Sequence, residues 1–394
     1  MSSLKLATGS QSAPHFDVLP PLSLYIHVPW CVRKCPYCDF NSHEARGELP
    51  EDAYVAALLA DLEMTLPQVW GRPVLTVFIG GGTPSLLSVP ALDALLSGVR
   101  ARLPLAADAE ITLEANPGTV EAEKFAGFRA AGVNRLSLGI QSLNDRHLKA
   151  LGRIHDADAA RRAAELALAT FDNVNLDLMY GLPGQTVDEA AADMAAAIAL
   201  GPQHLSAYHL TIEPNTLFHR YPPSVPDDDT AATMQDAVEA QLAAAGFEHY
   251  ETSAFARPGR RSRHNLNYWM FGDYIGIGAG AHQKISFKNN ILRQSRLRQP
   301  KAYLEHSGTA QVISEQRELT VDELPGEFMM NALRLNAGFD LDLFRLRAGL
   351  DLTRILQQLD AAEARGLLIR DHRRATPTPL GRRFLNDLIG MFLG

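Results

Sequence analysis

The sequence is poor in cysteine, in long hydrophobic runs and in excess positive charge, and each shortage excludes a class of protein. Its 394 residues include 3 cysteines, all in one short run, which excludes the multiple disulfides of small secreted proteins. No run approaches the roughly 18 uninterrupted apolar residues of a membrane span, and the net charge of −8 argues against general nucleic-acid binding. The first 20 residues lack the basic start and apolar core of a signal peptide. We therefore expect a cytoplasmic protein with a flexible tail at residues 1–20 and no nucleic-acid partner.

The three cysteines, Cys31, Cys35 and Cys38, follow a C-x3-C-x2-C spacing. Three thiolates on one loop can bind three irons of a [4Fe–4S] cluster and leave the fourth iron open to a small chelating ligand. A structural zinc site is the alternative, with His27 or His43 as the fourth ligand, but the run lacks the paired C-x2-C spacing typical of zinc ribbons and fingers. The spacing therefore favours an iron–sulfur cluster.

Short β-rich runs alternate with amphipathic helical stretches through the first 245 residues. This alternation predicts an α/β fold with a parallel sheet and right-handed crossovers. From about Leu319 the pattern becomes mostly helical and ends in a hairpin that resembles a wing. The predicted strands are 22–28, 74–80, 110–114, 134–138, 173–179 and 204–209, and the predicted helices are 51–66, 91–102, 122–131, 157–169, 188–199 and 230–245.

Glycines and polar residues recur where these strands end. Residues 80–84 read Gly-Gly-Gly-Thr-Pro, and Glu114, Gln141 and Asp177 lie at the ends of, or within, later strands, with Arg153 in the loop that follows Gln141. Each of them alone is explained more simply by a tight turn, a surface ion pair or a helix cap. Their recurrence at successive strand ends favours one ligand site, because active sites of α/β folds gather at the carboxyl ends of strands. Glycine there lets backbone atoms approach a ligand closely.

These features together resemble the radical S-adenosylmethionine (radical SAM) proteins, and most closely the oxygen-independent coproporphyrinogen III oxidase family. The resemblance rests on residues 25–30, the cysteine run, residues 80–84, Glu114, Gln141 and residues 177–183. It implies an open (β/α)6 partial TIM barrel with a smaller helical C-terminal domain, a [4Fe–4S] cluster held by Cys31, Cys35 and Cys38, and bound SAM. The residues that the resemblance assigns to SAM are Tyr25, Tyr37, Gly81, Gly82, Thr83, Glu114, Gln141, Arg153 and Asp177.

Position 40 separates this sequence from the oxidases. The cysteine run of the oxidases resembles C-x3-C-x2-C-x-C. In this sequence Phe40 stands where their further cysteine lies, and only 30 residues precede Cys31. Both differences argue against decarboxylation. They favour the sister subfamily, the HemW haem chaperones.

A second motif points the same way. His264-Asn265-Leu266-Asn267-Tyr268-Trp269 resembles the H-N-x-x-Y-W motif that this subfamily associates with haem. An imidazole can bind haem iron, and the rings of Tyr268 and Trp269 suit a porphyrin face. His282, after a glycine-rich segment, is an alternative axial ligand. Some guanidiniums of the preceding loop would pair with the two haem propionates. The candidates are Arg257, Arg260, Arg261 and Arg263. Without the resemblance, a hydrogen-bonded core histidine is the simpler reading of His264.

The resemblance implies a haem chaperone that passes haem to acceptor proteins such as respiratory enzymes, including acceptors at the membrane surface, and that needs an electron donor for its cluster. The alternative is an oxygen-independent coproporphyrinogen III oxidase or another radical SAM enzyme that modifies tetrapyrroles. We expect a tail at 1–20, a radical SAM core at 21–245, a haem-motif and connecting segment at 246–318, and a helical C-terminal domain at 319–394.

Overall fold

The structure, a computed structural model, describes residues 13–118 and 122–393. Most of the expected N-terminal tail therefore lies outside the described residues. The part that is described is held in place: the His15 N–H donates to Gly349 O at 2.8 Å, and Phe16 is buried among side chains of the C-terminal helices.

Most of the strands belong to one large sheet. It has 12 strands in the order β14-β13-β12-β11-β1-β4-β5-β6-β7-β8-β10-β9 and stays open, with β14 and β9 at its edges. The neighbours from β1 to β8 pair in parallel, as the alternating pattern predicts. The strands are β1 (Leu22–Val28), β2 (Trp30–Cys31), β3 (His43–Glu44), β4 (Val74–Gly81), β5 (Leu105–Ala115), β6 (Arg135–Gln141), β7 (Val174–Tyr180), β8 (His204–His209), β9 (Glu248–Glu251), β10 (Ala254–Ala256), β11 (Asp273–Ile277), β12 (His282–Ser286), β13 (Ile291–Arg296), β14 (Ile313–Glu318), β15 (Phe339–Asp340), β16 (Leu368–Arg370) and β17 (Arg374–Pro377).

Helices connect the parallel strands and bury their apolar faces against the sheet. Their starts follow ordinary capping chemistry: Thr186 and Glu189 form a capping box at α6. The helices are α1 (Glu51–Val69), α2 (Val89–Arg102), α3 (Ala122–Ala131), α4 (Asp145–Ala150), α5 (Ala157–Thr170), α6 (Val187–Ala199), α7 (Leu217–Arg220), α8 (Asp228–Ala244), α9 (Arg263–Trp269), α10 (Pro300–His306), α11 (Leu324–Ala332), α12 (Leu341–Ala348), α13 (Leu356–Ala364), α14 (Pro379–Arg383) and α15 (Leu385–Gly390).

The six predicted barrel strands and the helices between them are present, so the open (β/α)6 partial barrel is confirmed. Side chains on alternate positions of these strands point into the barrel, and the lumen runs between them.

The sheet extends beyond these six strands on both sides, which the sequence pattern did not predict. β11 adds to β1 in parallel, and β12, β13 and β14 follow it antiparallel. A buried ion pair ties this extension to α1: Arg296 Nε donates to Asp61 Oδ1 at 2.8 Å, and both side chains are almost fully buried. At the other edge, β10 pairs antiparallel with β8, and β9 pairs antiparallel with β10.

The C-terminal residues form a second hydrophobic core around α11 to α15. A small sheet in the order β15-β17-β16 contains the predicted wing-like hairpin. This part packs against α9 and forms ion pairs with the large sheet, Arg293–Glu327 and Arg334–Glu251. The helical C-terminal domain is therefore confirmed in type, while the boundaries at 20, 245 and 318 stay predictions. In the described part of the chain, no helix is long and apolar enough to cross a membrane.

Candidate functional site

The cysteine loop follows β1 and lies at the carboxyl ends of the barrel strands. Its three thiols are half-buried, and burial raises the pKa of Cys31 and of Cys38. Three donors stand close to the sulfurs: Thr83 Oγ1 lies 3.5 Å from Cys31 Sγ, Arg153 Nη1 donates to Cys35 Sγ at 3.5 Å, and Ser42 Oγ lies 3.8 Å from Cys38 Sγ.

These donors suit thiolates, because hydroxyl and guanidinium donors stabilise negative charge on sulfur. No three His, Cys, Asp or Glu side chains within residues 13–118 and 122–393 come close enough together to hold one metal ion.

A cavity of about 430 Å³ occupies the barrel lumen below this loop. Its walls include all three cysteines and eight of the nine residues that the resemblance assigned to SAM. Those eight are Tyr37, Gly81, Gly82, Thr83, Glu114, Gln141, Arg153 and Asp177. The ninth, Tyr25, lies on the wall of an adjoining cavity. The fold therefore gathers eight of the nine predicted SAM residues from four strands and three loops around one space.

The glycines at the end of β4 are needed for a reason that the sequence did not reveal. A Cβ on Gly81, whose φ is +119°, would lie 2.6 Å from the His27 ring, and one on Gly82 would lie 2.5 Å from Trp30 O. Close packing against the β1 loop thus requires glycine at both positions, whether or not a ligand approaches. The Gly81 N–H donates to Glu114 Oε2 at 3.0 Å.

Two carboxyl groups face the middle of the lumen. Burial raises the pKa of Glu114 to about 8, with a further contribution from Asp177 and an opposing one from the Gly81 N–H. Burial also raises the pKa of Asp177, although Asp177 accepts hydrogen bonds from Ser137 at 3.0 Å and from Asn175 at 2.8 Å. Glu114 is consequently protonated near neutral pH and can donate as well as accept a hydrogen bond.

Arg153 connects the lumen to the cysteine loop. Besides its contact with Cys35, its Nη2 donates to Asn116 Oδ1 at 2.6 Å and to Gly139 O at 2.9 Å. Gln141 ends β6 with a φ of 68°, a left-handed conformation that is uncommon for residues other than glycine.

Sequence reasoning missed several lumen residues, among them Asn116, Arg135 and His204. Arg135 is 2% exposed and lies at the start of β6. Its side chain makes no hydrogen bond or ion pair among the described residues, and its Nε is buried and unpaired. Alternation along the strands was the available signal, because Arg135, Ser137 and Gly139 occupy every second position of one strand.

Helix α9 carries the H-N-x-x-Y-W motif and packs inside the barrel against β1 and β4. His264 is 1% exposed. Its Nδ1 lies 2.7 Å from Thr76 Oγ1 and its Nε2 lies 3.0 Å from Tyr268 Oη. Burial, followed by the charge of Arg135, lowers the pKa of His264 to about 3. The imidazole is therefore neutral, and both of its nitrogens already have partners.

Three arginines of the preceding loop have partners within the protein, and their contact with haem propionates stays a prediction. Arg261 pairs with Glu248 at 3.0 Å and Arg263 with Asp108 at 3.1 Å. Arg257 lies over the Phe247 ring at 4.2 Å. The cavity walls include none of these guanidiniums.

The second cavity, of about 730 Å³, adjoins the lumen on the side of β11 to β14. Tyr268 and Trp269 contribute aromatic surface from α9, and His282 lies exposed at the start of β12. Burial, with the charges of Arg293 and Arg298, lowers the pKa of His282. Four residues line both cavities: Asp39, Phe40, Gly81 and Glu114.

Comparison with known proteins gives the family. The radical SAM superfamily model matches residues 25–197, and the HemN C-terminal domain model matches residues 319–384. The Escherichia coli K12 protein named "Heme chaperone HemW" is 52% identical over 377 residues, which cover 95% of this chain and 99% of that protein. The chain belongs to the HemW family of radical SAM proteins.

More distant HemW proteins match over the same span. The Bacillus subtilis 168 protein is 34% identical over 390 residues, covering 94% of this chain and 99% of its own. Among solved structures, coproporphyrinogen III oxidase (HemN) from Escherichia coli, described as a radical SAM enzyme, has a TM-score of 0.81 at 24% identity and covers 95% of this chain and 90% of its own. That likeness shows the fold.

Membership of the radical SAM superfamily implies a [4Fe–4S] cluster and SAM, and the side chains fit both groups. Three thiols with hydroxyl and guanidinium donors suit an iron cluster. The lumen volume lies within the roughly 300–1,000 Å³ of small-molecule sites. The wall between the cysteines and Asp177 carries hydrogen-bonding groups suited to a polar nucleoside such as SAM.

Proposed function

We propose that this protein is a haem chaperone that carries a [4Fe–4S] cluster and SAM and transfers haem to acceptor haem proteins. One observation carries the proposal: a lumen edged by three thiols adjoins a larger cavity with aromatic, basic and histidine side chains. Two ligands of different chemistry could thus be held side by side. The name "Heme chaperone HemW", carried by relatives that match almost the whole chain, supports the same function.

Cys31, Cys35 and Cys38 would hold the cluster, and the remaining iron would accept SAM. When bound, these groups supply one-electron chemistry. The chain's own contribution is to hold them: Thr83 and Arg153 would stabilise the thiolates. The SAM contacts would come from Tyr25, Tyr37, Gly81, Gly82, Thr83, Glu114, Gln141, Arg153 and Asp177.

Tyr268 and Trp269 would contact the porphyrin from α9. His264 stays a predicted iron ligand from the motif, and its use would require the loss of its hydrogen bonds to Thr76 and Tyr268. A His264→Ala variant with unchanged haem affinity and an intact cluster would remove that assignment.

The rival function is oxygen-independent coproporphyrinogen III oxidation. Phe40 bears on it, because this side chain is 61% exposed and borders both cavities at the position where the oxidases have a further cysteine. The likeness to HemN at 24% identity concerns the fold and does not favour the oxidase reaction.

One experiment separates the two functions. The cluster is reconstituted anaerobically, and the protein is incubated with SAM, a reductant and coproporphyrinogen III while haem binding is titrated spectrally in parallel. We expect haem binding and no decarboxylated product, with a Cys38→Ser variant as the control for cluster loss. Formation of protoporphyrinogen by the wild type would refute the chaperone function.

The proposed function also implies a cellular location and partner proteins. We propose a cytoplasmic protein that meets an electron donor for its cluster and delivers haem to respiratory enzymes, including acceptors at the membrane surface. Haem transfer from the loaded protein to apo-acceptor in membrane vesicles tests this. Equal transfer from free haem at the same concentration would contradict it.

A further inference from the structure

We infer that haem binds in the second cavity, with His282 as the axial ligand of its iron and Arg298 as a partner of a propionate. This inference rests on the proposed haem function and names the residues that would carry it. It also separates the iron ligand from the H-N-x-x-Y-W motif.

Three histidines lie in or next to the second cavity, and two of them are committed to the protein. His27 lies 2.9 Å from Tyr25 Oη through Nδ1 and 2.9 Å from Asn41 O through Nε2. Both ring nitrogens of His264 are paired as well. Within the described part of the chain, His282 makes no side-chain hydrogen bond, and it is exposed on the cavity wall. A ring nitrogen free to bind iron is therefore available at His282 without breaking any contact.

The backbone at His282 is fixed although its side chain is free. His282 pairs with Ser295 in the β12–β13 ladder. It follows Gly280, whose φ is +81° and whose Cβ position would lie 2.4 Å from Asn41 Nδ2. A strand position holds a ligand more rigidly than a loop does.

One basic side chain of the cavity is available for a carboxylate of haem. Lys284 and Arg296 are already paired with buried aspartates, and Arg293 pairs with Glu327. Arg298 lines the same cavity, is exposed, and has no ion-pair partner among the described residues. Its planar fork matches a carboxylate.

The aromatic wall and the volume complete the site. Tyr268 and Trp269 project from α9 into the cavity, and the Trp269 Nε1 is buried without a hydrogen-bond partner. Asp39 and Glu315 also line the cavity, so the anionic propionates are expected at its Arg298 side. The volume of about 730 Å³ falls within the range of sites for large cofactors.

The test is a spectral titration of the cluster-reconstituted protein with ferric haem, with cluster content measured for each variant. We expect His282→Ala to weaken haem binding roughly tenfold or more, to change the axial-ligand signature in electron paramagnetic resonance, and to recover that signature when free imidazole is added. The matched control His372→Ala changes an exposed histidine of the C-terminal hairpin and should bind haem as the wild type does.

A second pair of variants tests the propionate contact. Arg298→Gln should weaken haem binding several-fold, whereas Arg373→Gln, in the exposed C-terminal hairpin, should not. A wild-type spectrum and affinity for His282→Ala, or loss in His264→Ala that free imidazole restores, would overturn His282 as the ligand. Failure of the wild type itself to bind haem would instead refute the proposed function.

Discussion

We expect the buried ion pair between Asp61 and Arg296 to keep the wall of the second cavity attached to the barrel. Arg296 Nε donates to Asp61 Oδ1 at 2.8 Å, Tyr303 Oη donates to Asp61 Oδ2 at 2.9 Å, and the Gly278 N–H donates to Asp61 Oδ2 at 3.3 Å. Asp61→Ala removes both acceptor oxygens of these three hydrogen bonds and leaves the Arg296 guanidinium buried without a counter-charge. Loss of one partner of a buried pair costs about 3–5 kcal/mol.

We expect that loss to appear as local opening of β12 and β13. Native-state hydrogen exchange of their amides should be about a hundred- to several-thousand-fold faster in Asp61→Ala, since each 1.4 kcal/mol is about tenfold. The double variant Asp61→Ala/Arg296→Met removes the stranded charge and should recover much of the protection. Additive effects of the two substitutions, with a coupling free energy below about 0.5 kcal/mol, would refute this account of the pair.

Three further predictions concern the lumen, the cavity border and the C-terminal part. The pKa of Glu114 is raised to about 8, so the folded state keeps a proton that the unfolded state loses. The free energy of unfolding should therefore fall by at most about 1.4 kcal/mol per pH unit between pH 4.5 and 8, and urea titrations of Glu114→Gln should lack this slope; identical slopes would contradict the assignment. Phe40→Ala should change the melting temperature little, because the side chain is largely exposed, yet should weaken haem binding. Unchanged affinity would show that Phe40 does not contact bound haem. Gly338→Ala should destabilise the C-terminal part more than Gly366→Ala in thermal melts. Both glycines have a positive φ, +67° and +69°, but only at Gly338 would the added Cβ meet backbone, at 1.9 Å from Ala375 O. Equal losses of stability in the two variants would show that no clash occurs.

Local patterns in the sequence were sufficient for the elements of the barrel. The alternation of apolar runs predicted β1, β4 and β8 and the helices between them, because each buries one regular face. The extension of the sheet was not predictable in this way. Leu22 pairs with Asp273, 251 positions along the chain, and short strands such as β11 carry no signal of their partner.

The features of the candidate site also differ in whether local sequence patterns predict them. Residues at strand ends, such as Glu114 and Gln141, were predicted because the topology of a parallel sheet brings strand ends together. The hydrogen bonds of His264 were not predicted, because its partner Thr76 is 188 positions away and a sequence motif does not reveal a hydrogen bond. Arg135 lies at the start of β6 and so falls outside the strand-end pattern, although alternation along the strand places it on the same face as Ser137 and Gly139.

The border shared by the two cavities has a thermodynamic consequence. Phe40, Gly81 and Glu114 form part of both walls, and α9 presents Asn265 to the lumen and Trp269 to the second cavity. A ligand that orders this border in one cavity does part of the ordering needed by a ligand in the other. Any factor by which SAM changes haem affinity must then equal the factor by which haem changes SAM affinity. A protein built in this way would release its haem more readily when the lumen empties, and the lumen would hold SAM less tightly after the haem has left.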